Sequence, residues 1–332
     1  MWSGPNSDMT AGDSWRPAAS WERLRQRARL LHAVRAFFHR RGVWEVETPH
    51  LLPAVTPERH LEPIACQGGF LHTSPESCMK RLLAAGSGPI YQICHVFRGD
   101  ECGVLHSPEF TLLEWYRPGW SMQALMTELE ALVQELAQEA GRLPGGGPTE
   151  IWSYRDALQR FAGVDPFQDG EEQLRAACRG EPPELDRDGL LDLLLVQRVE
   201  PELQGRGGTV FLVDFPPSAA AMARIDPGPP AVARRFELYW QGVELANGYQ
   251  ELTDPVEQRR RLLEANRWRQ QMNKPPLPID EAFLQGLEHG LPECSGVAVG
   301  LDRLFMLLLG AQRISEVMAF PFDPFQTACR RD

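Results

Sequence analysis

Residues 90–118, IYQICHVFRGDECGVLHSPEFTLLEWYRP, decide how this chain folds. Ile90 to Phe97 and Phe110 to Tyr116 are rich in β-branched and aromatic residues, and a polar loop separates them. That predicts a strand, a loop and a returning strand, with Arg98 at the loop's entrance. A guanidinium, an aromatic ring and acids on the returning strand would then share one concave sheet surface. Arginine pairs with phosphate through two parallel bonds, and a ring offers a base a face to stack on. A charged surface hairpin would carry the same letters, so the remainder of the chain has to decide.

Working outward, Ser20 is a good helix cap, and Trp21, Leu24, Ala28, Leu31, Val34 and Phe38 follow at helical spacing up to Gly42. Val43 to Val46 reads as a strand ending before Thr48-Pro49, and Pro75 to Ala84 as a short helix. Met122 to Ala137 is a further helix, and the glycine- and proline-rich residues 143–148 form a flexible connection. Val210 to Phe215, Arg235 to Gln241 and Val243 to Leu252 read as strands, the last two joined through Gly242. Asp254-Pro255-Val256-Glu257 opens a helix to about Met272, and Val297 to Gly300 runs as a strand straight into the helix Leu301 to Leu309. Hairpin strands with helices between them predict an α+β fold, an antiparallel sheet flanked by helices. No Gly-rich phosphate loop of either common type is present, so any nucleotide is held another way.

The 332 residues, 43% hydrophobic, suffice for a proper core, which excludes overall disorder. No apolar run is long enough to cross a bilayer, and the N-terminus lacks a signal-peptide pattern, so a soluble, cytoplasmic protein is expected. A formal charge of −11 argues against a surface built throughout for nucleic acid. Charge is nevertheless segregated: residues 16–41 hold eight Arg against one Glu, and residues 165–204 hold eleven acids against four Arg. Lysine occurs only at 80 and 274. Seven cysteines without a C-x-x-C pair indicate neither a disulfide framework nor a zinc ribbon. Residues 1–19 read as a flexible leader, 20–330 as one folded domain, and 165–208 as a small helical insertion within it.

Three further groups could carry chemistry. Gly296 to Arg303 joins small residues to a helix start, where a ligand can approach the backbone and meet free N–H groups. Glu244 to Glu251 places Leu245, Asn247, Tyr249 and Glu251 on one strand face. Glu244 and Gly248 fall on the other unless a bulge at Gly248 brings both acids round. Paired acids beside a nucleotide suit magnesium or a substrate ammonium. Thr73-Ser74-Pro75-Glu76 is a turn entering a helix, and alone would need only a capping role.

Together these residues resemble the class II aminoacyl-tRNA synthetase core, in its lysine-specific branch. Val46-Glu47-Thr48-Pro49 looks like motif one, the dimer-forming element; Phe97 to Glu114 looks like motif two; Gly296 to Arg303 looks like motif three. Thr73 to Glu76 with Met79-Lys80-Arg81-Leu82, and Glu244 to Gly248 with Glu251 to Asp254, also match the lysyl branch. Lysyl-tRNA synthetases carry an N-terminal anticodon-binding barrel, whereas here about nineteen residues precede the first helix. A stand-alone core with Leu113 to Pro118 and Ser295 to Ala298 is similar to the elongation factor P (R)-beta-lysine ligase family, and Ala298 stands where tRNA-charging enzymes tend to have glycine.

The resemblance implies an ATP-dependent, adenylate-forming ligase that transfers (R)-beta-lysine or lysine to a lysine of elongation factor P. It implies a homodimer, with magnesium as cofactor and tRNA not expected as partner. By position, Arg98 holds the α-phosphate, Phe110 and Arg303 sandwich the adenine, and Gly99, Asp100, Ser107, Glu244, Leu245 and Gly300 complete the ATP site. Ser74, Pro75, Glu76, Tyr116, Glu251 and Ala298 form the amino-acid pocket, and Glu244 and Glu251 take magnesium. Two departures bear on nucleotide contacts. Arg98-Gly99-Asp100 replaces the usual Arg-Asn-Glu, so Glu101 could stand in for the shorter Asp100, and Ser107 replaces a common Asn. His106 reads as a loop-structuring residue, since proton removal is not the demanding step in adenylation. The alternatives are a truncated enzyme charging tRNA or a small-molecule acceptor, and a catalytically dead binding module. The retained Arg98 and Arg303 oppose the latter.

Overall fold

The computed structural model describes residues 15–322 apart from His60, Gly146 and Glu181, so most of the expected leader lies outside the described residues. Ala18 and Ala19 already donate backbone hydrogen bonds to Ala319 and Met318. The Ser20 hydroxyl accepts from the Arg23 N–H and starts α1 (Trp21–Arg40), which buries Leu30, Val34, Phe37 and Phe38. Then come β1 (Trp44–Glu45), a small three-stranded sheet of β2 (Leu51–Leu52), β3 (Ala65–Cys66) and β4 (Gly69–Leu71), and α2 (Glu76–Ala84). The deciding stretch forms β5 (Ile90–Phe97) and β6 (Glu109–Pro118), antiparallel from Phe97↔Glu109 to Ile90↔Tyr116.

After α3 (Met122–Glu139) and β7 (Glu150–Ser153), which sequence reading did not anticipate, the chain enters α4 (Tyr154–Ala162), α5 (Glu171–Ala177), α6 (Arg187–Leu194), a π-helical turn and α7 (Glu200–Gln204). Residues 165–208 are therefore largely helical, and share a core with α4 and the next strand through Leu158, Leu174, Leu190, Leu194, Val210 and Leu212. That strand is β8 (Thr209–Phe215), followed by β9 (Ile225–Asp226), β10 (Val232–Trp240) and β11 (Val243–Gln250). Gln241 and Gly242 both take positive φ in the β10–β11 turn, the geometry of a tight two-residue hairpin. The Asp254 carboxylate accepts from the Val256 and Glu257 N–H groups to open α8 (Pro255–Gln271). Last come α9 (Glu281–Gly290), β12 (Cys294–Gly300) and α10 (Leu301–Leu308).

The main sheet runs β1-β5-β6-β12-β11-β10-β8-β7, with β9 pairing β10. Its centre, from β5 to β8, is antiparallel, and the parallel pairs lie only at the edges, β1 on β5 and β7 on β8. The expected α+β architecture, an antiparallel sheet flanked by helices, is what forms.

Strand periodicity gives this sheet two unlike faces. Leu113, Trp115, Val297, Val299, Phe236 and Leu238 are buried against α1, α3 and α10. Their neighbours Glu114, Tyr116, Gly296, Ala298 and Glu237 turn to the opposite face and line a cleft. The Arg-rich α1 is largely neutralised by neighbours: Arg23 pairs with Glu316, Arg27 with buried Asp302, Arg35 with Glu45 and Arg40 with Glu135. Among the described residues no helix is long and apolar enough to cross a membrane.

Candidate active site

The cleft over the polar sheet face has a volume of about 860 Å³, within the range of small-molecule sites. Its deep end is built by α2, β6, the end of β11 and β12. Lys80, 1% exposed, points from α2 between two acids, 2.6 Å from Glu76 and 2.7 Å from Glu251. The Met222 sulfur lies 3.4 Å from the same ammonium. Glu114 accepts from the Ser74 hydroxyl at 2.7 Å and the Tyr116 hydroxyl at 2.6 Å. Ser74 also accepts from the Glu76 N–H at 3.0 Å and so fixes the start of α2.

One ammonium thus contacts two carboxylates, with Glu114 a third acid on the same cleft wall. Burial is the largest influence on each shifted acid. It raises Glu114 to about 8, with Glu76 adding to the shift and the Tyr116 and Ser74 hydrogen bonds opposing it. It raises Glu251 to about 7, against the pull of Lys80. Burial alone would lower Lys80, but Glu251 and Glu76 outweigh it and hold the amine protonated. The pocket is short of positive charge and suited to an ammonium.

The other end is built by the β5–β6 loop and the start of α10. The Arg98 guanidinium lies 5.0 Å from the Phe110 ring centre and donates to Glu101 at 3.2 Å. Arg303 donates to the carbonyls of Leu105 and Glu244, each at 3.1 Å, and to the His106 ring at 2.6 Å. His106 accordingly orders the loop. Burial and Arg303 together keep its pKa below the ordinary value, so its ring nitrogen can accept from Arg303.

Most of the sequence-predicted residues meet here: Ser74, Glu76, Arg98, Ser107, Phe110, Tyr116, Glu244, Leu245, Glu251, Ala298, Gly300 and Arg303 all line the cleft. Pro75, Gly99 and Asp100 do not. Pro75 is buried, while Gly99 and Asp100 are exposed. Glu101 lines the wall in place of Asp100, because the loop turns the latter out to solvent. The strand irregularity also sits elsewhere than expected. Leu238 pairs with Ala246 and Tyr239 with Glu244, so Leu245, not Gly248, is the extra residue that swings Glu244 onto the cleft face.

Sequence reading assigned no role to Lys80, Glu58, Arg235 or Glu237. Arg235 and Glu237 stand at alternate positions around Phe236 in β10, on the face opposite that buried residue, which was the available signal. Glu237 accepts from Arg235 at 2.5 Å and from Tyr239 at 2.7 Å.

The residues present fit ATP: among the described residues, Arg98 Nε and Ser107 Oγ are buried donors without a partner, Asn247 Oδ1 is a buried acceptor without one, and all three residues line the cleft. Magnesium fits less fully. Glu251 is engaged by Lys80, which does not suit the expected role of metal ligand. Glu244 remains on the cleft wall, 3.9 Å from Arg303. Among the described residues no three metal-ligating side chains converge.

Gly296 has no room for a side chain, since a Cβ there would lie 2.3 Å from the Tyr116 ring and 2.5 Å from Glu251 Oε1. Gly296→Ala is therefore expected to weaken lysine binding roughly tenfold or more while ATP binding is unchanged. Calorimetry with each ligand checks this, and unaltered lysine affinity would show that the deep end is not the amino-acid pocket.

The family description "tRNA synthetases class II (D, K and N)" matches residues 13–324. A protein of Edwardsiella ictaluri named elongation factor P--(R)-beta-lysine ligase is 46% identical, over 96% of this chain and 99% of its own length. Proteins of the same name from Proteus mirabilis and Erwinia tasmaniensis are 47% and 46% identical, over 92% and 93% of this chain and 97% and 98% of their own. With motif residues gathered in one cleft and likeness along nearly its whole length, the chain belongs to the class II tRNA synthetase (D, K and N) family and, within it, groups with the elongation factor P--(R)-beta-lysine ligases.

Proposed function

We propose that this protein is an ATP-dependent ligase that activates (R)-beta-lysine, or lysine, as an adenylate and transfers it to a lysine side chain of elongation factor P. The observation that carries the reading is one cleft with Arg98, Phe110 and Arg303 at one end and Glu76, Glu114 and Glu251 at the other. Arg98 would hold the α-phosphate, and Phe110 and Arg303 would flank the adenine. Glu76, Glu114, Glu251 and Tyr116 would receive the lysine-like substrate. The substrate carboxylate then attacks the α-phosphorus and pyrophosphate leaves. An uncharged acceptor amine next attacks the activated carbonyl, loses a proton, forms the amide and expels AMP. The residues act by positioning and charge neutralisation. Magnesium would be held by Glu244 and triphosphate oxygens and would neutralise phosphate charge.

A cytoplasmic location follows from such an acceptor. Pairing of four arginines of α1 with nearby acids removes much of the basic patch that tRNA would need, and so favours the protein acceptor. Exposed Trp44 and Leu51, on either side of the Val46–Pro49 segment that resembles motif one, support a homodimer. Sedimentation at micromolar concentration is expected to show a dimer, and a monomer would remove that part of the reading.

The decisive experiment offers labelled lysine and (R)-beta-lysine, with ATP and magnesium, to purified elongation factor P and to total tRNA. Label is expected on the protein alone; label on tRNA alone would return the chain to the tRNA-charging enzymes. Arg98→Ala is expected to lower lysine-dependent pyrophosphate exchange about a hundredfold or more. Retained exchange would exclude its phosphate role.

The raised acids set a pH dependence. A carboxyl shifted upward is neutral below its pKa and anionic above it, and an ammonium ligand favours the anion. With Glu114 raised to about 8 and Glu251 to about 7, the KM for the amino acid is expected to fall as pH rises through that interval. A flat profile in wild type would show that these acids are already ionised.

A further inference from the structure

Phe110 and Arg303, the two residues proposed to flank the adenine, belong to different elements, β6 and the first turn of α10. Each has a buried neighbour in the chain. Thr111 follows Phe110, and Asp302, only 1% exposed, precedes Arg303. The Asp302 carboxylate accepts from the Thr111 backbone N–H at 2.6 Å, so a single side chain joins the start of α10 directly to the strand. Phe110 lines the cleft, and strand alternation turns the Thr111 side chain to the opposite face. The contact thus lies one residue back from each flank and fixes where the two flanks stand relative to each other.

A carboxylate buried to that extent needs a counter-charge, and α1 supplies it. Arg27 pairs with Asp302 Oδ1 at 2.5 Å and donates to the Thr111 hydroxyl at 2.8 Å. It also donates to the Val317 carbonyl at 3.4 Å and lies 5.3 Å from the Phe305 ring centre. One guanidinium therefore grips β6, α10 and the segment after α10 together. Arg23, Arg35 and Arg40 of the same helix pair with acids that are a third exposed or more. Such surface pairs contribute little, whereas removing one partner of a buried pair leaves the other charge uncompensated. Arg27 is thus the arginine of α1 whose loss would be felt at the site.

Resting on the proposed function above, we infer that Arg27 is a positioning residue for the nucleotide base: through Asp302 and Thr111 it holds Arg303 and Phe110 at the spacing that receives the adenine. Without the guanidinium, the bond between Asp302 and the Thr111 N–H loses its support and the two flanks lose their fixed separation. The phosphate end has contacts of its own. The Arg98 backbone N–H donates to the Pro108 carbonyl at 2.8 Å, and its guanidinium donates to Glu101 at 3.2 Å. The effect of Arg27 accordingly falls on the base and not on the phosphates.

The test is calorimetric titration of the full chain with ATP and with tripolyphosphate, each with magnesium, comparing wild type, Arg27→Met, Arg27→Lys and Thr111→Val. Arg27→Met is expected to weaken ATP roughly tenfold or more, with tripolyphosphate bound as in wild type. Arg27→Lys is expected to recover part of that loss, since an ammonium keeps the charge but cannot fork between Asp302 and Thr111. Thr111→Val keeps the strand and its N–H and removes only the hydroxyl that Arg27 grips. It is expected to weaken ATP about threefold and tripolyphosphate not at all, and it decides the matter if Arg27→Met does not fold. Unchanged ATP affinity in Thr111→Val or in folded Arg27→Met, equal weakening of tripolyphosphate, or no recovery in Arg27→Lys would overturn the assignment. Wild-type protein that binds ATP no more tightly than tripolyphosphate would instead overturn the proposed place of the adenine, and this inference with it.

Discussion

The Lys80 ammonium, buried between Glu76 and Glu251, is the interaction on which the arrangement of the site turns. It joins the first turns of α2 to the end of β11, two elements far apart in sequence, through one desolvated charge. Removing either partner of such a contact is strongly destabilising, because the remaining charge stays buried without compensation. One cation cannot neutralise two anions, however, and Glu114 lies close enough to raise the imbalance. The deep end accordingly gathers three carboxyl groups around a single ammonium.

Close approach of backbone and side chains is the second constraint. Gly296 lies against the Tyr116 ring and Glu251, so β12 forms a floor without a side chain at that point, while Gly248 lies against the Phe236 ring on the opposite, packed face. The walls rise from neighbouring strands and from α2. Because the opposite sheet face is packed with Trp115, Phe236 and Leu238 against α3 and α10, the floor cannot yield when a ligand presses on it.

Much of this was legible in the sequence where local chemistry marks it. Ser20 and Asp254 announce α1 and α8 by their capping side chains, and the polar punctuation between Phe97 and Phe110 announces the β5–β6 pair. The site residues were recognisable because they cluster in short motifs with fixed spacing. What escaped has physical reasons. A one-residue excess at Leu245 leaves no compositional trace, since the register is set by the partner strand β10. Asp100 and Glu101 are adjacent acids, and only the turn of the loop decides which faces the cleft. Glu58 lies in an aperiodic connection, and its place is fixed by Arg269, more than two hundred residues later.

The ion pairs of Lys80 have a chemical consequence for any enzyme that makes a reactive acyl-adenylate beside them. An amine within reach of such a mixed anhydride is a nucleophile, and the chain has only two lysines with which to acylate itself. Lys274 is tied to Glu62, and Lys80, the one in the cleft, is kept protonated by two carboxylates and so has no lone pair to offer. The same contacts that shape the pocket also protect it from its own product.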